Sequence, residues 1–424
     1  HSYDLATTDF ALARYNPDGS LDQGFGSGGK QTADFFGNAD EASAIVIQTD
    51  GKIVAAGSAQ HTGDSASSDF ALARYNTDGS LDQGFGAGGK LTTDFFANLD
   101  SANAVAIQPD GKIVLVGIVY HSSTGAAADF GLARYNPDGS LDQGFGAGGK
   151  LATDFFGNSD NATGVAIQPD GKVVVAGDAH RSDASTTGDF ALARYNPDGS
   201  LDQNFGAGGK QTTVFFGNGD AAVAVAIQTD GRILVAGLAL LGASASTLNF
   251  ALARYNQDGS LDQSFGSGGK QTTDFFGNRD FPSGLAIQPD GAIVVAGIAR
   301  HSDDDSTDDF ALARYSSGVP VPDFTISLNP QSVTTNAGTK ITATVAINRT
   351  GGFAGNVTVT PPASAMGIKP KPAAPMITAG PSVVFKMKVG AGVAPGSYDR
   401  TFTATDGSGK TRTATLTIVV QKTR

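Results

Sequence analysis

Short runs of apolar residues, separated by Gly, Asp and Pro, repeat along the first three quarters of the chain. One run, DFALARYN, recurs in recognisable form at residues 9, 69, 129, 189, 249 and 309, a spacing of 60 residues each time. Each period also contains an AVAIQPDGKIVVAG-type segment and a GGKxTxDFFGN segment. Each period therefore predicts four short strands, which we name a (SAIVIQ type), b (KIVAAG type), c (DFALARY type) and d (KQTADFF type).

The alternation within these strands predicts a sheet that is buried on both faces. Strand c places Phe10, Leu12 and Arg14 on one side and Ala11 and Tyr15 on the other, so both sides are largely apolar. A β-sandwich strand would show one polar face, and a solenoid turn would be shorter with fewer strands. The predicted fold class is all-β, a β-propeller of 60-residue four-stranded blades.

The repeat also resembles known propeller families. The a–b unit is similar to the repeat of six-bladed NHL-type propellers, and the whole unit resembles the bacterial delta-60 repeat. The motifs are DFALARYNPDGSLDQGFG at 9–26 and AVAIQPDGKIVLVG at 104–117, and the match covers residues 1 to about 316. The resemblance implies a propeller of exported or surface proteins, with no settled activity and no catalytic residues to transfer.

The sequence is compatible with more than one number of blades. Five a–b pairs are visible, and the chain opens in the middle of a repeat. Either one strand c is surplus, or an upstream segment supplies a sixth inner pair. We favour the second, which gives six blades.

A different module follows the repeats. The repeat stops after Tyr315, and residues 317–322 form a predicted Gly- and Pro-rich linker between a propeller at 1–316 and a second domain at 323–424. About seven alternating strands in about 100 residues are typical of an Ig-like β-sandwich. The segment APGSYDRTFTATDGSG is similar to the end of bacterial Ig-like domains, with Tyr398 as a candidate corner tyrosine.

Composition and charge narrow the functional classes. The net charge of −12 argues against nucleic acid or an anionic membrane as partner, and no apolar run is long enough to span a bilayer. Residues 1–318 carry 18 basic and 38 acidic residues, net −20, and residues 319–424 carry 11 and 3, net +8. This difference in net charge either attracts one domain to the oppositely charged domain of another copy or simply reflects two unrelated modules. The absence of Cys fits a protein secreted by a bacterium or held on its cell surface.

The loop between strands b and c differs most between copies, which is typical of a binding surface on a rigid scaffold and also of unconstrained loops. A shared zinc ion is unfavourable because equivalent loops on different blades diverge. The candidate binding residues in this loop are His61, Asp64, His121, His180, Arg181, Asp183, His301, Asp303, Asp304 and Asp305.

The NPDGSLD segments are a second candidate site. Asn16, Asp18 and Asp22 place oxygen side chains at alternate positions, a weak calcium signal, but N-P-D-G is also a type I turn signal and the EF-hand spacing is absent. We favour the turn. Arg14 and its equivalents lie on an apolar strand face and need acidic partners, for which Asp22 and its equivalents are placed.

Catalytic constellations are not visible in the sequence, which has no Cys and a single Glu, Glu41. The favoured function is a non-enzymatic extracellular or cell-surface scaffold that binds a protein or a surface glycan through variable propeller loops. The alternative is a structural subunit of a surface filament or sheath, in which the propeller of one copy contacts the Ig-like domain of another. A more distant alternative is an Asp-dependent hydrolase. No cofactor is expected beyond calcium.

Overall fold

The computed structural model divides the chain into two compact units, His1–Ser316 and Ser317–Arg424. It describes residues 8–62, 68–122, 128–182, 188–217, 219–241, 247–302, 307–316, 323–350, 355–407 and 409–422. The predicted linker, residues 317–322, lies outside these ranges. The regular elements of the described residues are β-strands.

The strands of the first unit recur with the 60-residue period. They are β1 (Phe10–Ala13), β2 (Lys30–Ala33), β3 (Asp40–Ile47), β4 (Ile53–Gln60), β5 (Ser68–Tyr75), β6 (Lys90–Thr93), β7 (Asp100–Ile107), β8 (Ile113–Tyr120), β9 (Ala128–Tyr135), β10 (Lys150–Thr153), β11 (Asp160–Ile167), β12 (Val173–His180), β13 (Gly188–Tyr195), β14 (Lys210–Thr213), β15 (Asp220–Ile227), β16 (Ile233–Leu240), β17 (Leu248–Tyr255), β18 (Lys270–Thr273), β19 (Asp280–Ile287), β20 (Ile293–Arg300) and β21 (Asp308–Tyr315).

These strands form antiparallel sheets in chain order, one sheet for each period. The sheets β3–β6, β7–β10, β11–β14 and β15–β18 each contain strands a, b, c and d, while β1–β2 holds c and d and β19–β21 holds a, b and c. The prediction of repeated four-stranded blades is confirmed. Five a–b pairs lie within the described residues.

Consecutive blades pack face to face through the same residues in every copy. One interface combines Phe70 and Leu72 of one blade with Leu115 and Tyr135 of the next, all buried. The hydroxyl of Tyr135 donates a 2.8 Å hydrogen bond to the Thr93 hydroxyl across this interface. Strand c of the inner blades is therefore buried on both faces, as its alternation predicts.

The two end blades each leave one face open to solvent. The side chain of Tyr15 is 63% exposed, although its equivalents Tyr75 and Tyr135 are buried. At the other end, Phe310 is fully exposed and Leu312 is mostly exposed. Among the described residues, these end faces lack the neighbour that covers the same positions in the inner blades.

A β-bulge marks the pairing of strands a and b in every copy. The register of β11 against β12 shifts between Ala162 and Gly164. Gly177 lies beside this bulge, and a Cβ added there would meet the backbone oxygen of Asn161 at 1.9 Å. The glycine is required because the two backbones approach too closely for any side chain.

The second unit contains two sheets that pack on one apolar core. Its strands are β22 (Asp323–Asn329), β23 (Ser332–Asn336), β24 (Lys340–Thr350), β25 (Val357–Thr360), β26 (Ile368–Lys371), β27 (Met376–Thr378), β28 (Ser382–Val389), β29 (Gly396–Asp406) and β30 (Thr411–Gln421). The sheet orders are β22-β24-β28-β26 and β23-β30-β29-β25-β27. Phe385 and Phe402, 5.3 Å apart between ring centroids, belong to the common core.

In the described residues, no helix is long and apolar enough to cross a membrane.

Candidate functional site

The antiparallel order of the strands gives each blade two edges with different chemistry. The turns a–b and c–d lie at one edge, which we call the turn edge. The ends of strand b and the starts of strand c, typified by residues 61–62 and 68–69, and the d–a connections, typified by residues 94–99, lie at the other, which we call the loop edge. Five of the predicted binding residues lie outside the described residues, namely Asp64, Asp183, Asp303, Asp304 and Asp305.

A ladder of aromatic rings leads from the core of each blade to the loop edge. Phe70 in strand c contacts Phe95 at 5.0 Å between centroids, and Phe95 contacts Phe96 at 6.4 Å. Phe96, which is 40% exposed, then packs against the ring of His121 at 4.2 Å. Equivalent half-exposed rings stand at the same place in the other copies: Phe36, Phe156, Phe216 and Phe276.

The predicted histidines of the loop edge are held by this ladder and by an aspartate. His121 Nε2 lies 2.7 Å from Asp129 Oδ2, and His301 Nε2 lies 2.8 Å from Asp309 Oδ2. His61 makes the same contact with Asp69. The structure thus places these histidines on separate blades, each with its own carboxylate.

The fourth copy departs from the histidine pattern by one residue. Arg181 stands where the other copies have His61 and His121, because 60 residues separate each pair of equivalents. Its Nε lies 2.6 Å from Asp189 Oδ2, and its guanidinium lies over the ring of Phe156. His180 instead contacts a different aspartate, with its Nε2 3.0 Å from Asp178 Oδ2. Grouping His180 with the other histidines is therefore incorrect, since an arginine takes their place in this copy.

Three carboxylates meet at the loop edge at three of the described junctions between consecutive blades. Asp69 begins strand c, Asp94 follows strand d, and Asp100 begins strand a of the next blade. One oxygen from each lies within 4.8 Å of the others. Among the described residues, two further groups have this arrangement: Asp9, Asp34 and Asp40; and Asp129, Asp154 and Asp160.

The last aspartate of each triad is the deeply buried one. Asp100 has no exposed surface, and its Oδ2 accepts a 2.8 Å hydrogen bond from the backbone N–H of Phe95. Its Oδ1 is buried without a hydrogen-bond partner. Burial raises the pKa of Asp100 to about 7, with the charges of Asp94 and Asp69 adding to the rise and the Phe95 hydrogen bond opposing it.

The triads were not among the residues predicted from the sequence. Their members are separated by 25 and 6 residues, and they come from two different blades. The signal is the recurring Asp in the pattern DFFGNxD: one begins every strand a, and one follows strand d except where Val214 replaces it. The pattern by itself predicts only the connection from strand d to the next strand a. Nothing in the sequence shows that strand c brings a third carboxylate to the same place.

The turn edge carries the predicted arginine pairs. Arg74 Nε donates a 2.8 Å hydrogen bond to Asp82 Oδ2, and its guanidinium lies 4.2 Å from the centroid of the Phe85 ring. Lys52 Nζ of the same blade also reaches Asp82 Oδ2, at 2.8 Å. Burial raises the pKa of Asp82, but these hydrogen bonds and the Arg74 charge outweigh it and hold the pKa below its ordinary value. The pairing of these arginines with the repeated aspartates is confirmed.

The weak calcium candidates also lie at the turn edge, where their own loop uses their oxygens. Asp18 Oδ1 accepts hydrogen bonds from the Ser20 backbone at 2.9 Å and from its hydroxyl at 2.6 Å. Asp22 Oδ2 accepts from Arg14 Nε at 2.8 Å. Asn16 donates to the Ser20 hydroxyl at 3.0 Å. In the described part of the chain, the carboxylates close enough to share an ion lie instead at the loop edge.

The turn edge also contains a cavity between the first two blades that have strand a. Its volume is about 780 Å³, and its lining includes Gln48, Asp50, Gln108, Asp110 and Pro137. The side-chain oxygens of Gln48 and Gln108 are buried without partners. The cavity therefore has a mixed lining, in which these two amide oxygens are unpaired polar groups.

Fold and site together define a repeat protein of stacked propeller blades with an aromatic and acidic loop edge. A family described as "Domain of unknown function (DUF5122) beta-propeller" matches residues 3–25, 48–85, 108–145, 168–205, 228–265 and 288–318. These matches lie in the repeats and support a repeat β-propeller family for that part of the chain. No curated protein matches the sequence.

Solved structures resemble the chain at low overall similarity. The S-layer protein SbsC domains 4 and 5 are 18% identical, with a TM-score of 0.17, and the match covers 50% of this chain and 92% of that one. A glucose dehydrogenase is 11% identical, with a TM-score of 0.31, covering 65% and 96%. SbsC domains 1–6 are 14% identical, with a TM-score of 0.17, covering 85% and 53%.

Proposed function

We propose that the protein is a non-enzymatic binding scaffold of the bacterial cell surface or its exterior, and that it binds a protein or surface glycan through the loop edge. The observation that carries this proposal is the regular row of half-exposed Phe rings, one from each d–a connection. The absence of Cys agrees with an extracellular location.

The aromatic row has the physical properties of a binding surface. Each ring contacts the preceding phenylalanine of its blade, and His or Arg packs against four of the five rings, namely Phe36, Phe96, Phe156 and Phe276. Little side-chain freedom is therefore lost when a partner binds. Rigid aromatic side chains supply much of the binding energy in protein interfaces and also stack on sugar rings. Neighbouring blades repeat the same contacts, which suits a partner that is itself repetitive.

The carboxylates favour a binding role over hydrolysis. A hydrolase needs an acid and a base that both reach the substrate. Asp100 and Asp160, whose pKa values are raised by burial to about 7, have no exposed surface. Equivalent triads also occur at successive blade junctions, whereas an active site is built once.

Binding to bacterial cells tests the proposal. The full chain, labelled with a fluorophore, is incubated with intact cells, with protease-treated cells and with periodate-treated cells. We expect binding to intact cells and its loss after one of the two treatments, which identifies the partner as protein or glycan. The combined variant Phe96→Ser, Phe156→Ser and Phe276→Ser should weaken binding at least about tenfold, since a tenfold change needs only about 1.4 kcal/mol.

Ile377→Ser provides the matched control, because Ile377 is an exposed apolar residue of the second unit and does not lie at the loop edge. It should bind as the parent does. Unchanged binding by the triple Phe variant, or no binding to any cell preparation, contradicts the proposal.

We also propose the finer assignments of the two units. The repeats are of the delta-60 type on the motifs given above. An immunoglobulin-like class for the second unit is supported by its two sheets and by Tyr398, whose hydroxyl donates a 2.7 Å hydrogen bond to the carbonyl of Ala394. A tyrosine that bonds back to the backbone a few residues upstream is a hallmark of that class.

The second candidate function is structural self-assembly. The exposed faces of the end blades favour it, because Phe310 and Leu312 at one end and Tyr15, Ile45 and Ile47 at the other are positions that pack on each other between inner blades. The opposite net charges of the two units, −20 and +8, favour contacts between the propeller of one copy and the second unit of another.

A further inference from the structure

The three aspartate triads of the loop edge hold negative charges close together, and the aromatic binding surface does not account for this arrangement. Each brings three carboxylates together. A histidine contacts the first carboxylate in two of them, and Lys150 donates a 2.6 Å hydrogen bond to the backbone carbonyl of Asp94, not to its carboxylate. Like charges this close repel one another strongly in a partly buried site. A stable arrangement therefore needs either protons or a cation.

An unpartnered buried oxygen points to a cation in each triad. The Oδ1 atoms of Asp40, Asp100 and Asp160 are buried without hydrogen-bond partners. All three aspartates are at least nine-tenths buried. Asp280 Oδ1, at the junction where Asn249 replaces the first aspartate, is a fourth oxygen of this kind. Buried polar atoms are nearly always paired, so four repeats of the same exception indicate a missing ligand at the same place.

The spacing of the oxygens suits calcium. Two oxygens on one calcium ion, at roughly 2.3–2.6 Å each, lie at most about 4.6–5.2 Å apart. The three carboxylate oxygens of each triad lie within 4.8 Å of one another. Calcium takes six to eight oxygen ligands, and the exposed side of Asp94 leaves water free to supply the others. The all-oxygen ligand set is unsuited to zinc.

The fourth copy supplies an internal comparison. Val214 replaces the middle aspartate there, and Arg181 is paired with Asp189. In this copy Asp220 Oδ1 accepts a hydrogen bond from the backbone N–H of Leu240, at 3.3 Å. The unpartnered oxygen is thus absent from the copy that has gained a guanidinium, whereas Asp280 keeps it in the fifth copy, where Asn249 supplies an amide oxygen in place of the first carboxylate.

We propose that each triad binds one calcium ion and that the ion joins two consecutive blades. Asp69 and Asp94 come from one blade and Asp100 from the next, so the ion links strands c and d to strand a across the junction. His61 contacts Asp69 and orients its carboxylate, in the way that outer hydrogen bonds support metal ligands. Calcium therefore stiffens the loop edge on which the aromatic row stands.

Calcium counting on the full chain tests the proposal. The protein is freed of metal with a chelating resin, dialysed against calcium alone, and its bound calcium is measured by mass spectrometry. We expect at least three ions per chain and a melting temperature that rises with calcium and falls with EGTA, because a ligand of the folded state stabilises it. Magnesium at the same concentration should displace little of the calcium.

Asp94→Val is the decisive variant, because the fourth copy carries Val214 at the same position and folds. It should bind one ion fewer than the parent, and Asp154→Val should do the same. Its melting temperature in EGTA shows separately whether the variant is folded. The double variant Arg181→His and Val214→Asp should bind one ion more.

Asp18→Asn is the matched control, since Asp18 belongs to the turn edge and bonds to Ser20. Its calcium count should equal that of the parent. No calcium bound by the folded parent, an unchanged count in Asp94→Val, or the loss of one ion in Asp18→Asn would overturn the proposal. These results do not depend on the cell-binding experiment.

Discussion

The ion pair of Arg134 and Asp142 is the residue-scale feature that repeats most faithfully. Arg134 Nε donates to Asp142 Oδ2 at 2.8 Å, and the guanidinium also donates to the carbonyl of Pro197 in the next blade. Its plane lies 4.3 Å from the centroid of the Phe145 ring. One side chain therefore satisfies a buried carboxylate, covers an aromatic ring and joins two blades.

Arg134→Met should lower the free energy of unfolding by about 1.5–3 kcal/mol, because it removes a charged hydrogen bond of Asp142 while Lys112 Nζ, 3.1 Å from Asp142 Oδ2, still compensates part of its charge. Arg314→Met is the matched control: Arg314 occupies the same repeat position, but its side chain is 55% exposed where that of Arg134 is 6% exposed. Its effect should stay below about 1 kcal/mol. Guanidinium denaturation followed by circular dichroism measures both, and equal shifts in the two variants would contradict the interpretation.

At the scale of the element, the bulge between strands a and b sets the shape of every blade. Gly177 faces the Asn161 carbonyl so closely that an added Cβ would lie 1.9 Å from its oxygen. Gly284, in strand a of the last blade, meets nothing within 4 Å. Other copies carry Ala44, Ala104 and Ala224 at that position.

Gly177→Ala should therefore destabilise the protein, on the order of 1–3 kcal/mol, as overpacking does when the backbone must move. Gly284→Ala should leave the midpoint of thermal unfolding unchanged or slightly raised, since the alanine reduces the freedom of the unfolded chain. Differential scanning calorimetry of the two variants gives the comparison. If both variants melted alike, the close approach at the bulge would not be the reason for the glycine.

The strands were predictable because their signals are local. Period-two alternation, Gly and Asp punctuation and the 60-residue repeat define strands a to d, and the structure confirms them. The arginine pairs were also predictable, since the residues equivalent to Arg74 and Asp82 are eight positions apart in every complete copy. The triads were not, because Asp69, Asp94 and Asp100 meet through the packing of two blades, which the sequence of one blade does not describe.

At the scale of the whole molecule, the exposed faces of the end blades predict association between copies. Sedimentation velocity should show species larger than the monomer, and Phe310→Asp with Leu312→Asp should reduce them, since a charge opposes burial of that face. Ile377→Asp, at an exposed apolar residue of the second unit, is the control and should have no effect.

Salt separates the two routes of association. Contacts between the acidic and basic units should weaken as sodium chloride rises from about 0.05 to 0.5 M, because the Debye length falls several-fold. Apolar contacts between end blades should persist. A monomer under all conditions would exclude self-assembly as the function.

The equivalence of the blade junctions affects how the number of repeats can change during evolution. Each blade contacts its neighbours through equivalent residues, so a junction formed after the loss or gain of one 60-residue unit would resemble those already present. Near-identical copies in a gene also favour unequal recombination. Length is then a trait that varies in whole blades, and the row of rings and acidic groups along the loop edge lengthens or shortens with it.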